Sequence, residues 1–273
     1  MPEGFASPAF DRERWAEALV RVSSGPPFAT WRAYMSRIYE DLARYGTGTV
    51  LKTDLFEEAL GPQNPMARLP RGSFGMDGCL DIVRAARRQV HTEGRPCRLF
   101  VGDLRQVPLR SGSVEHILSG SSLDHFADRR DLDASLAELA RILAPGGVLA
   151  ITLDNPQNPL IWLRNRLSHR IRRRTRLTPF FVGATYGHRR LRGRLEAAGL
   201  TILAETAVVH APRIAALWLT RVIEASPWPG LSRPLASALR ASDALARLPT
   251  RFLTGHYVAL HAAKPGSADP PRP

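Results

Sequence analysis

The chain has 273 residues, 44% of them apolar, which is enough to bury a full core in one large domain or in a domain with attachments. Its 38 Lys and Arg residues outnumber 25 Asp and Glu residues, the formal net charge is +13, and only Lys52 and Lys264 are lysines. This arginine excess fits either the amino-acid usage of a GC-rich genome or the recognition of anions. Net charge alone predicts solubility and some affinity for anionic surfaces, not a nucleic-acid function.

Composition also argues against several protein classes. Two cysteines, Cys79 and Cys97, cannot form a disulfide framework, and no cysteine–histidine cluster has zinc-site spacing. No apolar run reaches the roughly 18 residues of a membrane-spanning helix. The best candidate, which starts at Ile214, is interrupted by Arg221 and Glu224. The N-terminus lacks the basic and apolar regions of a signal peptide, so we expect a cytoplasmic protein.

Two amphipathic helices are predicted at the start of the chain. Residues 11–23 and 30–44 carry apolar side chains at three- and four-residue spacing. Pro26 and Pro27 interrupt this pattern between them. We therefore predict an N-terminal helical segment over residues 1–46.

From Thr49 to Asp154, short apolar runs alternate with helical stretches. Five strands are predicted by the runs TVLKTDLF, RGSFGMDG, CRLFVGDL, VEHILSGS and VLAITLD. Helices are predicted by CLDIVRAARRQV and by DLDASLAELARILA, which places Leu132, Leu136 and Leu139 on one face. This alternation implies right-handed crossovers and a doubly wound, Rossmann-like sheet of parallel strands.

The second half of the chain extends this core. A basic insertion at 155–188 precedes a helix at 189–200 and a strand at 201–210, and the predicted core covers 47–210.

A helical cap, a last strand and a tail follow the core. Residues 211–251 predict the cap, which turns at PWPG, and residues 252–264 predict a last core strand. Residues 265–273 predict a disordered tail. The whole pattern predicts an α/β fold with a mostly parallel seven-stranded sheet, N-terminal helices and a helical cap.

Aspartates end three successive predicted strands. Asp54 ends the first, Asp77 the second and Asp103 the third, while the fourth ends at Ser119. Ligands of open α/β sheets bind at the carboxyl ends of the strands. A carboxylate there can accept hydrogen bonds from ribose hydroxyls or an adenine amino group, each worth about 1.5–3 kcal/mol. Each aspartate alone is typical of a turn or a helix cap, but the three together favour a nucleoside site.

Three segments of the core carry a combined motif. They read GSFGMDGCLDIVRAA, VGDLRQVPLRSGSVEHILSGSSLDHF and ELARILAPGGVLAITLDNP. Their order resembles the class I S-adenosylmethionine-dependent methyltransferases, and is closest to the type 11-like branch that acts on small molecules and lipids. The resemblance is strong over residues 47–154. It implies S-adenosylmethionine as the cofactor, with ribose at Asp77, adenine at Asp103 and the Leu104 backbone, and a further contact near Ser119.

The loop after the first strand departs from that family. The family pattern is D-x-G-x-G-x-G, where glycines let the backbone approach the cofactor closely. Here the corresponding residues run from Lys52 to Glu58 without a glycine. Two interpretations stay open. Asp54 or Glu57 can bind the cofactor's ammonium while Lys52 binds its carboxylate, or Lys52 and Asp54, on one side of the strand, can neutralise each other as a buried pair.

Candidates for a catalytic base are few, and a base is needed only when the acceptor is a hydroxyl or an acidic carbon. His125 follows the fourth strand, and Tyr186 and His188 lie in GATYGHRR. Each of these residues is also typical of packing, of a cap or of a turn. No metal triad is visible, so we predict no metal site.

Two segments bear on the choice of acceptor. Residues 163–177 interleave leucines and isoleucine with arginines and predict an amphipathic basic helix, suited to an anionic membrane, an acidic substrate or solvent. The cap, with Ile214 and Trp218, can roof an apolar pocket or simply complete the core.

These observations favour methyl transfer to a small-molecule or lipid-like acceptor, with O- or C-methylation ahead of N-methylation. The alternative is a catalytically inactive member of the same fold that binds a nucleoside or a partner. A nicotinamide-dependent reductase is disfavoured because no G-x-G-x-x-G run follows the first strand. A nucleic-acid methyltransferase is disfavoured because no N-P-P-Y-like motif follows the fourth strand, so we expect no specific nucleic acid as a partner.

Overall fold

The computed structural model describes residues 12–23, 28–45, 48–61, 65–92, 97–167 and 183–266. Within these ranges the helices are α1 (Arg12–Ser23), α2 (Ala29–Ala43), α3 (Phe56–Ala59), α4 (Leu80–Thr92), α5 (Arg129–Ile142), α6 (Pro159–Arg166), α7 (His188–Ala197), α8 (Arg213–Glu224), α9 (Ser232–Ser242) and α10 (Arg251–Thr254). The strands are β1 (Val50–Lys52), β2 (Phe74–Asp77), β3 (Arg98–Val101), β4 (Val114–Gly120), β5 (Leu143–Asp154), β6 (Thr201–Val208) and β7 (Tyr257–Ala263).

The strands form one seven-stranded sheet in the order β3-β2-β1-β4-β5-β7-β6. β7 is antiparallel to β5 and β6, and the other pairings are parallel, which confirms the predicted fold class. Lys52, the last residue of β1, pairs with Gly75 of β2 and Leu118 of β4. Asp154, the last residue of β5, pairs with Tyr257, the first residue of β7. The carboxyl ends of β1, β2, β4 and β5 therefore share one edge with the start of β7.

Both faces of the sheet are covered by helices. One face packs against α1, α2, α4, α8 and α9 through buried residues such as Ile38, Ile82 and Leu239. The other packs against α5 and α7 through residues such as Leu136 and Leu191. α5 forms as its spacing predicts, because its leucines lie on one buried face and Asp128 caps its start by accepting a hydrogen bond from the Arg130 N–H.

The structure changes two predicted elements. The last strand begins at Tyr257, because Arg251–Thr254 form one helical turn first. The predicted basic helix over 163–177 ends at Arg166 in the described chain, where Leu167 takes an extended conformation. Residues 168–182, most of that predicted helix, and 267–273, most of the predicted tail, lie outside the described residues. Among the helices that are described, none is long and apolar enough to cross a bilayer.

A buried histidine makes the stability of the sheet dependent on pH. His116 of β4 is fully buried, and neither ring nitrogen has a hydrogen-bond partner among the described residues. Burial, and then the charge of His261, lower the pKa of His116 to about 4. Because this pKa lies below the usual value near 6.5, the unfolded state binds the proton first as the pH falls, and stability is lost between these two values.

We expect His116→Leu to reduce this loss. One pH unit within the window corresponds to about 1.4 kcal/mol for a single group, so the variant should lose roughly 2 kcal/mol less than the wild type between about pH 6.5 and 4.5. The measurement is the free energy of unfolding in denaturant at a series of pH values. If the free energy of unfolding fell equally with decreasing pH in the two proteins, His116 would not be the cause of the loss.

Candidate active site

The loop after β1 contains a buried ion pair. The Lys52 side chain is 1% exposed, and its Nζ lies 3.0 Å from Glu58 Oε2 and 3.8 Å from Asp54 Oδ2. It also donates to the Asp54 carbonyl and lies 5.4 Å from the centre of the Tyr39 ring. Burial opposes the charged form, but Glu58 and Asp54 outweigh it and raise the pKa of Lys52. Lys52 is thus a charged residue with its partners already in place.

This pair corrects the expectations for Lys52 in two respects. Its principal partner is Glu58, which sequence reasoning missed, and Asp54 is only a second carboxylate at a longer distance. Because the Nζ is enclosed by these groups, Lys52 is not placed to bind the carboxylate of a cofactor. In the family pattern D-x-G-x-G-x-G, Lys52 stands at the position of the aspartate and Glu58 at the position of the third glycine. These two side chains neutralise each other.

Glu57 is held in a second ion pair. Its Oε2 lies 3.1 Å from Arg32 Nε, and Arg32 also donates to the Glu57 carbonyl at 2.9 Å. Arg32 belongs to α2 and is 8% exposed, so this contact joins α2 to α3. Glu57 thus has a structural contact, and its role as a ligand for an ammonium group, like that of Asp54, stays a prediction.

Asp54 and Asp77 lie at neighbouring strand ends, as predicted. Asp77 Oδ1 accepts from the Cys79 N–H at 2.8 Å and Oδ2 accepts from the Leu55 N–H at 3.1 Å. Burial, and then the Asp54 carboxylate, raise the pKa of Asp77 to about 7, against the effect of these hydrogen bonds. Since a carboxylate offers about four acceptor positions, Asp77 retains capacity for the hydroxyls of a ribose.

Leu55 occupies the turn where the family has glycine. Its side chain is fully buried and packs on Gly75, where an added Cβ would lie 2.6 Å from Leu55 Cδ2. Gly75 therefore makes room for the leucine. Asp54 has a side chain that is 22% exposed and accepts from the Phe56 N–H at 2.9 Å, so it stays at the surface of the site.

The predicted adenine region lies beyond β3. Asp103 is 46% exposed, and the guanidinium of Arg105 contacts both of its carboxylate oxygens at 2.6 to 3.1 Å. Arg105 also reaches Asp131 of α5 at 3.3 Å, which fixes the loop. Leu104 between them is 9% exposed and packs in the core. The Asp103 carboxylate remains open to solvent on one side and can still meet an amino group.

Ser119 belongs to a row of hydroxyl groups that joins β1 to β4. Thr53 Oγ1 donates to Ser119 Oγ at 3.0 Å and lies 2.9 Å from Ser122 Oγ. Ser119 is fully buried, so its side chain aligns the two strand ends. We call Asp54, Asp77, Asp103, Leu104 and Ser119 the cofactor half of the site.

A second cluster, which sequence reasoning missed, lies at the ends of β4, β5 and β7. Asp154 Oδ2 lies 2.6 Å from the Arg164 guanidinium, and Asp154 Oδ1 lies 3.5 Å from His256 Nε2. Burial opposes ionisation of Asp154, but Arg164 outweighs it and lowers the pKa of Asp154. Burial lowers the pKa of His256 to about 3, so this ring is neutral near pH 7. We call Ser121, Asp124, Asp154, Arg164, His256 and Tyr257 the acceptor half.

Asp124 is the incompletely bonded carboxylate of the acceptor half. It is 1% exposed, and its Oδ2 accepts from Ser121 Oγ at 2.9 Å and from the Asp154 N–H at 3.2 Å. Its Oδ1 has no hydrogen-bond partner in the described part of the chain, and His125 Nε2 lies 3.8 Å away. Burial raises the pKa of Asp124, although His125 opposes the shift. A buried, half-satisfied carboxylate is typical of functional sites.

Backbone strain accompanies this cluster. Ser121 has φ +50°, in the left-handed region, and its N–H bonds the Thr152 carbonyl at 3.2 Å and the Thr152 hydroxyl at 3.0 Å. Val209, whose carbonyl accepts from the His256 N–H, has φ +61°. Such conformations in non-glycine residues cost about 1–3 kcal/mol each and collect at functional sites.

Tyrosines connect the two halves. Arg213 of α8 donates to the Tyr257 hydroxyl at 2.7 Å, and burial raises the pKa of Tyr257 to about 12. The Tyr39 ring rests on Gly120 at the end of β4, where an added Cβ would lie 2.3 Å from the ring. Burial, and then Asp54 and Tyr257, raise the pKa of Tyr39 well above 10. Tyr39 therefore lies between the cofactor half and the acceptor half.

The three residues predicted as bases have different positions. His125 lies beside Asp124 and packs on Trp15 at 4.6 Å between ring centres. Tyr186 is buried against α5 and donates to Asp133 at 2.8 Å, so it is a packing residue of the other sheet face.

His188 is also corrected to a packing residue. Its ring stacks on Phe252 with 3.9 Å between centres and lies 3.6 Å from Glu205 on β6. Of the three candidates, the structure thus brings only His125 to the acceptor half.

Open grooves occur away from both halves. One of about 580 Å³ lies along β6 and is lined by residues that include Arg192 and Glu205. Another of about 230 Å³ lies between α2 and α9. Neither contains a strand-end aspartate, so the chemistry of the strand ends, rather than groove size, identifies the candidate site.

Comparison with known proteins agrees with this architecture. Residues 62–151 match the model of a family described as a methyltransferase domain. A probable tRNA methyltransferase 9B from Mus musculus is 28% identical over 108 residues, which are 40% of this chain and 21% of that protein. An uncharacterized 37.1 kDa transposon protein from Streptomyces fradiae is 34% identical over 92 residues, 30% of this chain and 25% of that protein. The chain thus spans only about a quarter or less of these relatives.

Solved structures share the fold at low identity. The [4+2]-cyclase SpnF has a TM-score of 0.55 and 16% identity, with 85% of this chain and 81% of that chain covered. Geranyl diphosphate C-methyltransferase from Streptomyces coelicolor, in complex with S-adenosyl-L-homocysteine, has a TM-score of 0.53 and 14% identity, with 85% and 77% covered. A complex between the Haloferax volcanii Trm112 methyltransferase activator and the "putative methyltransferase" has a TM-score of 0.54 and 18% identity, with 93% of this chain and 98% of that chain covered.

Residues 62–151 are thus similar to a methyltransferase domain, and the chain shares its fold with the solved structures named above. Asp77 and Asp103 present carboxylates at the second and third strand ends, where they would hold the adenosine portion of S-adenosylmethionine. Residues 52–58 contain no glycine, so Asp54 would be the group that meets the methionine portion.

Proposed function

We propose that the protein transfers the methyl group of S-adenosylmethionine to a hydroxyl or an acidic carbon of a small-molecule or lipid-like acceptor. The observation that carries this proposal is the buried Asp124 carboxylate, whose Oδ1 lacks a hydrogen-bond partner among the described residues. An acceptor hydroxyl can donate to that oxygen. A surface site for a large polymer would not need so enclosed a carboxylate.

The cofactor is held by three groups in this proposal. Asp77 accepts from the ribose hydroxyls, Asp103 and the Leu104 backbone bind the adenine, and Asp54 binds the ammonium. The cofactor supplies an activated methyl group, so the chain's main tasks are to align the acceptor and to exclude water. Tyr39, packed on Gly120 between the two halves, separates the site from solvent on the α2 side.

Asp124 is the proposed proton acceptor. Its raised pKa, caused by burial, makes it a stronger base than a solvated carboxylate. Ser121 and the Asp154 N–H hold Oδ2, which directs Oδ1 toward the acceptor. Arg164 neutralises Asp154, so the two neighbouring carboxylates do not compete for one proton.

Affinity for the cofactor provides the first test. We expect calorimetric titration with S-adenosylmethionine and S-adenosylhomocysteine to detect binding, and Asp77→Asn to weaken it at least tenfold, because charged hydrogen bonds are worth about 1.5–3 kcal/mol each. Affinity should increase with pH through about 7, since the ionised Asp77 is the better acceptor.

Control variants make that titration specific. Asp54→Asn should also weaken binding, whereas Asp81→Asn, in the exposed first turn of α4, should not. A folded wild-type protein that binds neither compound would contradict the proposed function and favour the alternative of an inactive methyltransferase-fold protein. The [4+2]-cyclase SpnF illustrates that this fold also occurs with an activity other than methyl transfer.

A tRNA substrate is the second candidate. It is favoured by the relatives from Mus musculus and Bos taurus, both described as probable tRNA methyltransferases. Transfer of a labelled methyl group to bulk tRNA, compared with transfer to mixtures of small metabolites and lipid extracts, separates the two candidates. Labelling of tRNA alone would replace the small-molecule proposal.

A further inference from the structure

Helix α8 presents an apolar face to solvent. Ile214, Trp218, Leu219 and Val222 on the helix are 60%, 61%, 39% and 45% exposed, and Trp228 and Leu231 in the following turn are 67% and 46% exposed. We call these six residues the Trp218 face. Contiguous exposed apolar residues of this size mark interaction surfaces in otherwise water-soluble domains.

The helix is apolar on two sides, and only one of them is used within the fold. Ala216 and Thr220, which are 4% and 0% exposed, face the interior. Ile214, Trp218 and Val222 follow each other at four-residue spacing and therefore form a row on another side. Packing in the core explains the buried residues of the first side. The second side faces solvent, so packing does not explain why it is apolar.

Charge restricts what the second side can bind. Glu224 is the only acidic residue between 213 and 242, where the sequence has four arginines. Its carboxylate points inward and accepts from the Ala29 N–H at 3.1 Å and the Thr30 N–H at 2.8 Å, at the start of α2. Arg221, Arg233 and Arg240 are exposed. The segment 213–242 that carries the Trp218 face is thus basic and apolar, with Arg221 on the same helix, and its one carboxylate is already bonded.

We propose that the Trp218 face docks on an anionic phospholipid bilayer. Tryptophan and aliphatic side chains on one side, with arginines beside them, are the features of helices that lie in the plane of a membrane surface. This arrangement does not require the helix to span the bilayer. The inference is independent of methyl transfer, because none of the six residues belongs to the candidate active site.

The position of the face suggests a consequence for the site. Arg213, in the first turn of α8, bonds Tyr257 of the acceptor half. On α6, Leu160, Trp162 and Leu163 are also 62%, 46% and 54% exposed, while Arg164 of the same helix bonds Asp154. Exposed apolar side chains thus lie on two of the helices that contact the acceptor half, so we expect a docked protein to hold that half close to lipid.

Vesicle flotation tests the proposal. The full chain is mixed with vesicles of phosphatidylcholine alone or of phosphatidylcholine with phosphatidylglycerol. We expect it to float with the anionic vesicles only, with a blue shift of tryptophan emission. The variant Trp218→Ser/Trp228→Ser should bind at least tenfold more weakly, since it removes two large apolar side chains that would leave water on binding. Arg221→Glu/Arg233→Glu should reduce binding at low ionic strength.

A second double variant, outside the Trp218 face, serves as the control for the flotation experiment. Leu203→Ser/Leu253→Ser removes two residues of similar exposure, 51% and 53%, outside the face, and should bind like the wild type. Absence of flotation, or equal flotation of the tryptophan variant and the wild type, would overturn the proposal. Lipid-free self-association that the tryptophan variant abolishes, without flotation, would overturn it in favour of a second copy of the chain.

Discussion

Replacing Lys52 by methionine is expected to lower the free energy of unfolding by about 3–5 kcal/mol, because it leaves the Glu58 carboxylate buried without its counter-charge. Both side chains are enclosed, with 1% and 0% exposure. The double variant Lys52→Met/Glu58→Gln should recover most of this loss, since the glutamine is neutral and keeps an oxygen for the Met66 N–H that Glu58 bonds at 3.2 Å. Denaturant titrations followed by circular dichroism measure these differences.

The exposed pair of Arg44 and Asp41 provides the comparison for Lys52. Its side chains are 74% and 46% exposed, so Arg44→Met should change stability by less than about 0.5–1 kcal/mol. If the single and double variants at Lys52 and Glu58 were equally unstable, the buried charge would not be the cause. The same titrations would then point to lost packing instead.

The ion pair of Lys52 and Glu58 also affects how the loop after β1 can approach the cofactor. In the family pattern, glycines give the backbone access to the cofactor, whereas here an ion pair and the buried Leu55 give the turn its shape. A turn fixed by side chains cannot approach the cofactor as closely as a glycine turn. We therefore expect the adenosine portion to supply most of the binding free energy.

The sequence predicted the elements that depend on local pattern. Alternating strands and helices predicted the sheet, and parallel strand ends necessarily share an edge, so Asp54, Asp77 and Ser119 were predicted together correctly. The same reasoning missed Glu58, because its pairing with Lys52 requires α3 to fold back beside β1. Periodicity within one element does not report such a contact.

The acceptor half was missed for a different reason. β7 is antiparallel to β5, which places His256 beside Asp154 although about a hundred residues separate them in the chain. Local patterns contain no information on that pairing. Tyr186 was misplaced because Thr185 bonds the Asp154 carbonyl at 2.5 Å, and the next side chain points away, toward Asp133 on α5.

The sharpest test of the chemistry is Asp124→Asn. We expect turnover to fall by about 10²- to 10⁴-fold, the usual contribution of a general base, while the affinity for S-adenosylmethionine stays unchanged. The substitution keeps an oxygen that can accept from Ser121, so the local structure should persist. The measurement is the formation of S-adenosylhomocysteine with the acceptor on which the wild-type protein turns over.

The pH profile distinguishes a base from a structural residue at this position. In the wild type, the rate should increase as the pH rises through the elevated pKa of Asp124, because only the ionised carboxylate accepts a proton. The asparagine variant should lose this increase, whereas Glu196→Gln, an exposed change on α7, should keep both rate and profile. A lower rate with an unaltered profile would mean that Asp124 orients the acceptor through Ser121 and Asp154 and that another group removes the proton.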